Sequence, residues 1–249
     1  MSIDTMLGWT KDSFTSAGIT HTTYQRGSGP GVVIVHEIPG ITPTVVRFAN
    51  EVVAAGFTVL MPLLVGEAGR EPKGTYMGSS LAKVCISREF TTMAMGHTSS
   101  VISWLRAVAK HLYRQVGGVG VGAVGMCFSG GFALGMMVDD IVVAPVVAQP
   151  SLPFSFGKSR GANLGLSSDD ELAVSRRAIA GCQVLGLRFS GDKLVGTRFD
   201  TLRSLLGEAF IAVEFPSTAK SDHSVLTEQR QDEGVAKVID FLRQKLQRG

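Results

Sequence analysis

A cysteine in a glycine-rich turn is the first residue of this chain whose setting suggests chemistry. Residues 121–136 read VGAVGMCFSGGFALGM, so a small, apolar run breaks at Gly-Met-Cys-Phe-Ser-Gly-Gly and then resumes. A sharp strand-to-helix turn of this build exposes the side chain at its tip, here Cys127, because small neighbours let the backbone pass closely. The amide of Phe128 would lie at a helix N-terminus, where unpaired N–H groups and the helix dipole favour an anion. The pattern predicts a thiol nucleophile.

Two further roles for this turn stay open. A glycine-rich strand-to-helix turn can bind a phosphate, but GMCFSGG matches neither G-x-G-x-x-G nor G-x-x-x-x-G-K-[ST]. A free cysteine is also commonly just a small buried side chain, and Cys85 and Cys182 are interpreted in that way. The three cysteines form no C-x-x-C pair, which argues against a disulfide framework or a zinc site.

An acid and a base follow later in the chain, each after an apolar run. Asp192 lies in FSGDKLVG, and His223 lies in PSTAKSDHSVL after the run FIAVEFP. Nucleophile, acid and base in this order, each at a strand end, match the triad of α/β-hydrolases. Alternatively, Asp192 could cap a helix, and His223 could be a solvated loop histidine beside Asp222.

A second carboxyl group is expected at the same edge of the sheet. Glu37 closes the apolar run GVVIVHE and precedes IPGITP. Near the thiol it could accept a proton, and the amide of Ile38 could be a second oxyanion donor. A glutamate at a strand end is otherwise usually solvated. His36 is expected to pack inside the protein, whereas His21, His97 and His111 are expected at the surface.

Apolar runs and amphipathic segments alternate along the chain. The runs predict buried strands within 31–37, 56–62, 120–126, 141–148, 182–190 and 210–216, and the helical periods predict helices within 42–56, 100–112 and 235–246. This alternation predicts an α/β fold, a mostly parallel sheet covered by helices on both faces, in a single domain over residues 1–249. Segments 66–90 and 151–172 are expected to be loops or lid pieces over a ligand cleft. The first 20 residues stay unplaced, as a strand or a loose arm.

Composition limits the partners. The 249 residues are 45% hydrophobic and carry a formal net charge of +3, and the densest basic stretch ends the last predicted helix. Nucleic-acid binding is therefore not expected. The N-terminus lacks a signal-peptide pattern, and the longest apolar runs are far shorter than the ~20 residues of a membrane span. We expect a cytoplasmic protein with no membrane partner, no cofactor and no metal, and its oligomeric state stays open.

Four motifs together resemble one family. VIVHEIPGI, GMCFSGGFAL, SGDKLV and DHSVL are similar to motifs of the dienelactone hydrolase family of α/β-hydrolases, and the likeness runs from about residue 30 to the C-terminus. The resemblance implies a triad of Cys127, His223 and Asp192, with Glu37 hydrogen-bonded to the cysteine and the amides of Ile38 and Phe128 as the oxyanion hole. It implies a hydrolase of a small ester, lactone or thioester, whose thiol stays protonated until substrate binds.

Two positions depart from the family pattern. Ser129 stands where the family elbow, G-x-C-x-G-G, has its first glycine of the pair, and Thr227 stands where well-studied members carry a substrate-binding arginine. Arg88 is the candidate cation for a substrate carboxylate, and Ser224 is a further candidate substrate contact. An acyl transferase using the same turn and a catalytically idle binding protein are the alternative functions.

Overall fold

The fold is built around one sheet of eight strands. A computed structural model describes residues 5–73, 76, 79–80, 99–151 and 161–247. The strands are β1 (Thr10–Ser16), β2 (Ile19–Arg26), β3 (Gly31–Val35), β4 (Thr58–Leu63), β5 (Val121–Met126), β6 (Val142–Ala148), β7 (Val184–Phe189) and β8 (Phe210–Phe215). The helices within the described ranges are α1 (Pro43–Ala54), α2 (Ser100–Val116), α3 (Gly130–Met136), α4 (Ser168–Ile179), α5 (Arg198–Leu206) and α6 (Asp232–Leu246).

The sheet is mostly parallel, as predicted. Its strand order is β1-β2-β4-β3-β5-β6-β7-β8. The β1–β2 and β2–β4 pairs are antiparallel, and every other pair is parallel. The carboxyl ends of β3 and β5–β8 therefore lie at one edge of the sheet. In open parallel sheets this edge is where ligands bind.

Helices cover both faces of the sheet. One apolar cluster contains buried residues of α2, α3, α4 and α5, and a second on the other face contains those of α1 and α6. All residues of β3 and β5 are buried, which is the expected state of a strand with helices on both sides. The α/β prediction is confirmed. Among the helices of the described ranges, none is long and apolar enough to cross a membrane.

Sequence reasoning did not place the N-terminal hairpin of β1 and β2. The two strands pair antiparallel around Ala17 and Gly18, both of which have positive φ (50° and 79°), as the tightest hairpin turns require. The hairpin packs against α2, where the His21 ring lies edge-on to Trp104 with ring centroids 4.9 Å apart. His21 and His111 are half-buried rather than at the surface as predicted, because the hairpin packs on the face of α2 that carries Trp104 and His111.

The two predicted loop segments are described in part. Residues 81–98 and 152–160, with Arg88, Cys85 and His97 among them, lie outside the described residues. The second segment was predicted to continue to residue 172, but α4 begins at Ser168. The Ser167 hydroxyl caps this helix by accepting a hydrogen bond from the Asp170 amide at 3.2 Å. A serine followed by acidic residues is a recognisable helix start, so this boundary could have been read from the sequence.

Candidate active site

Cys127 lies in a strained turn between β5 and α3. Its φ is +56°, a conformation that is uncommon and costly for a residue with a side chain. The turn is tight enough to require small neighbours. A Cβ atom at Gly125 would lie 2.2 Å from the carbonyl oxygen of Ser129, and one at Gly130 would lie 2.7 Å from Cα of Pro150. The chain therefore makes the tight strand-to-helix turn that the sequence predicted, with Cys127 at its tip.

The hydroxyl of Ser129 ties the elbow to the neighbouring strand. It accepts a hydrogen bond from the Met126 amide at 2.9 Å, and its own hydrogen can reach the carbonyl oxygens of Val35 at 2.9 Å or His36 at 3.1 Å. Ser129 is fully buried. A glycine would leave these groups without this partner, so the departure from the family elbow has a structural use.

The structure brings Asp192 and His223 together. Oδ2 of Asp192 lies 2.6 Å from Nδ1 of His223, and the two side chains are only 3% and 15% exposed. Asp192 does not cap the following helix, which begins at Arg198 after Thr197. Its other oxygen accepts a hydrogen bond from the Leu194 amide at 2.9 Å. His223 is therefore an oriented, half-buried histidine and not a solvated one.

Asp222 is not the orienting acid. Its Oδ2 atom accepts hydrogen bonds from the amides of Thr218 and Ala219 at 2.7 and 2.8 Å, which hold the pKa of its carboxyl below the ordinary value. These bonds shape the loop that carries His223. The carboxyl group that contacts the imidazole is that of Asp192.

The neighbours of His223 favour its charged form. Burial disfavours the imidazolium, but the electrostatic interaction with Cys127 and hydrogen bonding to Asp192 act in the opposite direction, so the pKa of His223 is raised above its ordinary value of 6.5. Within the described residues, no group makes a well-aligned hydrogen bond to the buried Nε2 atom. We therefore take the interaction with Cys127 as mainly electrostatic. Such contacts commonly tighten only when substrate is bound.

Glu37 lies buried beyond β3, with neutral partners. Its carboxyl accepts hydrogen bonds from the hydroxyls of Ser224, at 2.7 Å, and Thr227, and from the side-chain amide of Gln149 at 3.3 Å. Burial raises the pKa of Glu37, against the opposing effect of the two hydroxyls and of His223. Among the described contacts of Cys127, no hydrogen bond to Glu37 occurs; the one side-chain partner of the sulfur is Ser151.

The candidate substrate contact Ser224 faces into the protein. Its hydroxyl donates to Glu37, and its amide donates to Oε1 of Gln229 at 2.9 Å. Thr227 occupies the position of the missing arginine and is 1% exposed. Both hydroxyls therefore connect the His223 loop to Glu37.

Two residues beyond β6 were missed by sequence reasoning. Oγ of Ser151 lies 3.2 Å from Sγ of Cys127, and the Ser151 amide donates to the Cys127 carbonyl at 3.0 Å. Gln149 has φ +34° and is fully buried. Both follow the apolar run of β6 at the edge where the other site residues lie. The strand-end rule that selected Glu37 and Asp192 would have found them.

Arg198 was also missed, because a buried arginine is unusual. Its side chain is fully buried and donates to the carbonyl oxygens of Asn163 at 2.8 Å, Leu194 at 3.0 Å and Val195 at 2.9 Å. Burial lowers the pKa of Arg198 to about 10, against the charge of Asp192. The guanidinium is still protonated at neutral pH and fastens the loop that carries Asp192.

The two predicted oxyanion donors emerge from neighbouring parallel strands. Ile38 follows Glu37 beyond β3, and Phe128 follows Cys127 beyond β5. In the described part of the chain, no group accepts a hydrogen bond from the Ile38 amide. Their role as an oxyanion hole stays a prediction. No cluster of three or more His, Cys, Asp or Glu side chains suited to a metal ion occurs among the described residues.

A model of the dienelactone hydrolase family matches residues 17–244. The chain belongs to the dienelactone hydrolase family. Membership of this family identifies it as a hydrolase, which acts on a small molecule. The resemblance inferred from the four motifs is confirmed. No curated protein matches the chain.

Solved structures share the fold at low sequence identity. A dienelactone hydrolase from Anabaena variabilis is 14% identical, covers 96% of this chain and 98% of its own, and has a TM-score of 0.64. A dienelactone hydrolase-like promiscuous phosphotriesterase from metagenomic libraries is 16% identical, with coverage of 96% and 98% and a TM-score of 0.62. An α/β hydrolase from Penicillium sp. is 13% identical, with coverage of 97% and 100% and a TM-score of 0.65. These likenesses establish the α/β-hydrolase fold.

Proposed function

We propose that this member of the dienelactone hydrolase family is a cysteine-dependent hydrolase of small esters, lactones or thioesters. The observation that carries the proposal is the part-buried Asp192–His223 hydrogen bond at the sheet edge where Cys127 occupies its strained turn. Nucleophile, base and orienting acid come from the ends of β5, β8 and β7, which are parallel strands of one sheet. Geometry of this kind serves acyl transfer through a covalent intermediate.

Acylation begins when, on substrate binding, the thiol proton of Cys127 moves to Nε2 of His223, which leaves a thiolate and an imidazolium. Sγ of Cys127 attacks the carbonyl carbon of the substrate, and the electron pair of the C=O double bond moves to oxygen. The amides of Phe128 and Ile38 are proposed to stabilise this oxyanion. When the tetrahedral adduct collapses, the C–O bond to the alcohol portion breaks, and this oxygen takes the proton from Nε2 of His223. The products are an acyl-cysteine thioester, an alcohol group and a neutral histidine.

Deacylation reverses these roles. Neutral His223 takes a proton from water at Nε2 as the water oxygen attacks the thioester carbon. The second adduct expels Cys127 as a thiolate and releases the carboxylic acid, while His223 is again an imidazolium. Asp192 accepts a hydrogen bond from Nδ1–H in every step, which orients Nε2 and stabilises the positive ring. No other group is needed to balance the protons.

Glu37 is assigned a positioning role in this proposal. Its carboxyl joins the β3 end to the His223 loop through Ser224 and Thr227. That Glu37 accepts the thiol proton of Cys127 stays a prediction, since its carboxyl would first have to release Ser224, Thr227 or Gln149. Arg88 stays our predicted contact for any substrate carboxylate.

Hydrolysis of p-nitrophenyl acetate and of a small lactone tests the proposal. We expect turnover by the wild type and a rate that is lower by about 1,000-fold or more in Cys127→Ala. Cys127→Ser should keep a residual rate that is below the wild-type rate. Cys182→Ala is the matched control, because Cys182 contacts Arg177 and the carbonyl oxygens of β6 away from the triad. Undiminished hydrolysis by folded Cys127→Ala would overturn the proposal. Binding of the esters without turnover by the wild type would favour the idle binding protein instead.

A further inference from the structure

A serine hydroxyl lies on the sulfur that the mechanism uses. Oγ of Ser151 is 3.2 Å from Sγ of Cys127. The backbone joins the same two residues, since the Ser151 amide donates to the Cys127 carbonyl at 3.0 Å. Ser151 is 1% exposed. The hydroxyl is therefore held against the sulfur by its main chain and shielded from solvent.

The protonation state of the sulfur sets the direction of this hydrogen bond. A thiolate has no hydrogen and can only accept, so the Ser151 O–H must donate to it. A buried hydroxyl nearly always has a hydrogen-bond partner, and Cys127 is the side chain that supplies one among the described residues. The contact therefore places a donor against the sulfur, which stabilises the thiolate once it has formed.

We propose that Ser151 is a further catalytic residue, which donates a hydrogen bond to the Cys127 thiolate when the thiol loses its proton and again when the thiolate leaves the acyl group. This inference rests on the proposed function. As the S–C bond forms, negative charge moves from sulfur to the carbonyl oxygen, and the bond from Ser151 weakens. When the C–S bond breaks in deacylation, the electron pair returns to sulfur and Ser151 donates to it again. The hydroxyl keeps its own proton throughout.

The arrangement of the strands explains why a hydroxyl, and not the nearby carboxyl group, reaches the sulfur. Cys127 follows β5, which lies between β3 and β6 in the sheet. Glu37, beyond β3, is occupied by Ser224, Thr227 and Gln149. Of the residues that follow the two neighbouring strands, Ser151, beyond β6, is therefore the one whose side chain contacts the Cys127 sulfur. The sulfur thus has a neutral donor, Ser151, on one side and His223 as its proton acceptor, and both stabilise the thiolate once it has formed.

The rate of Cys127 alkylation by iodoacetamide as a function of pH tests this inference without any substrate. Ser151→Ala should shift the midpoint of the profile upward by about one pH unit, so that alkylation below the midpoint slows about tenfold. Peptide mass spectrometry measures the alkylation of Cys127 and of Cys182 in the same sample. The midpoint of the Cys182 profile should be the same in the variant and the wild type. Loss of packing alone would expose the thiol and speed its alkylation, whereas the lost hydrogen bond slows it.

A matched pair isolates the hydroxyl if Ser151→Ala does not fold. Ser151→Thr keeps the hydroxyl and Ser151→Val replaces it with a methyl group of similar size. We expect a wild-type midpoint for the threonine variant and a raised midpoint for the valine variant. Equal midpoints in this pair, or an unmoved midpoint in folded Ser151→Ala, would overturn the inference. Because alkylation needs no turnover, these outcomes are separate from a failure of the hydrolase proposal.

Discussion

Two buried carboxyl groups lie at the same edge of the sheet, and their neighbours differ. Asp192, beyond β7, contacts an imidazole that becomes charged. Glu37, beyond β3, contacts two hydroxyls and a side-chain amide. Asp192 has a partner that can carry a charge, whereas Glu37 has neutral donors, so the two carboxyl groups take different roles. We infer that Asp192 supports the proton transfers, whereas Glu37 holds the His223 loop in place.

Of the substitutions that test this comparison, Asp192→Asn should have the largest effect, and that effect is on activity. Asparagine keeps the shape of the side chain, but it removes the negative charge and can fix the wrong histidine tautomer. We expect kcat/KM for p-nitrophenyl acetate to fall about 1,000- to 10,000-fold. Glu37→Gln, measured in parallel, should lose about tenfold or less, because an amide can still bridge to Ser224 and Thr227. Equal losses in the two variants would contradict the different tasks assigned to the two carboxyl groups.

Glu37→Gln should also change how stability depends on pH. A buried carboxyl group with a raised pKa binds its proton more tightly in the folded chain than in the unfolded chain. The free energy of unfolding of the wild type should therefore fall as pH rises above the ordinary value of 4.5 and through the folded pKa. Each unit of raised pKa corresponds to about 1.4 kcal/mol. Urea unfolding from pH 4 to pH 8 should show a gain for Glu37→Gln, relative to wild type, that grows with pH.

That difference between the two proteins isolates Glu37, because His223 and Asp192 are present in both. A constant difference across the pH range would mean that Glu37 titrates alike in the folded and unfolded chains. Its neutral surroundings would then not raise its pKa as we infer.

Thr227→Val should have the smallest effect of the three. The substitution keeps the shape of the side chain but removes the hydroxyl that donates to Glu37. The unfolding free energy at pH 7 should fall by about 1–2 kcal/mol, because a buried carboxyl group loses a donor. Thr15→Val, at an exposed position of β1, is the control and should change it by less than about 0.5 kcal/mol. A loss at Thr227 no greater than that of the control would show that this hydroxyl does not support Glu37.

Strand-end reasoning located most of the candidate site from sequence. Cys127, Asp192 and His223 each follow an apolar run, and the parallel sheet brings those three ends to one edge. Glu37 was placed at that edge by the same rule. Its partners could not be inferred, because they depend on how the His223 loop folds back over β3. Ser151 follows the apolar run of β6 in the same way, so the same rule would have placed it at this edge, but it was not applied there.

Other parts of the molecule had weaker signals. Arg198 carries a charge, and a charged residue at a helix start is ordinarily solvated, so its burial against backbone carbonyls depends on the packing of loops. The hairpin of β1 and β2 is mostly polar and lies at the edge of the sheet, so its hydrophobic pattern is faint. The buried strands, by contrast, are apolar on both faces and were predicted within a few residues of their bounds.

Trapping the acyl-enzyme tests the cysteine nucleophile most directly. The protein is mixed with p-nitrophenyl acetate, quenched in acid within the first turnovers and digested for peptide mass spectrometry. We predict one acetyl group per chain, on Cys127, in the wild type, with slower loss of that group in Asp192→Asn. An acetyl group on another residue of a catalytically active chain, or turnover with Cys127 never acylated, would contradict a cysteine nucleophile.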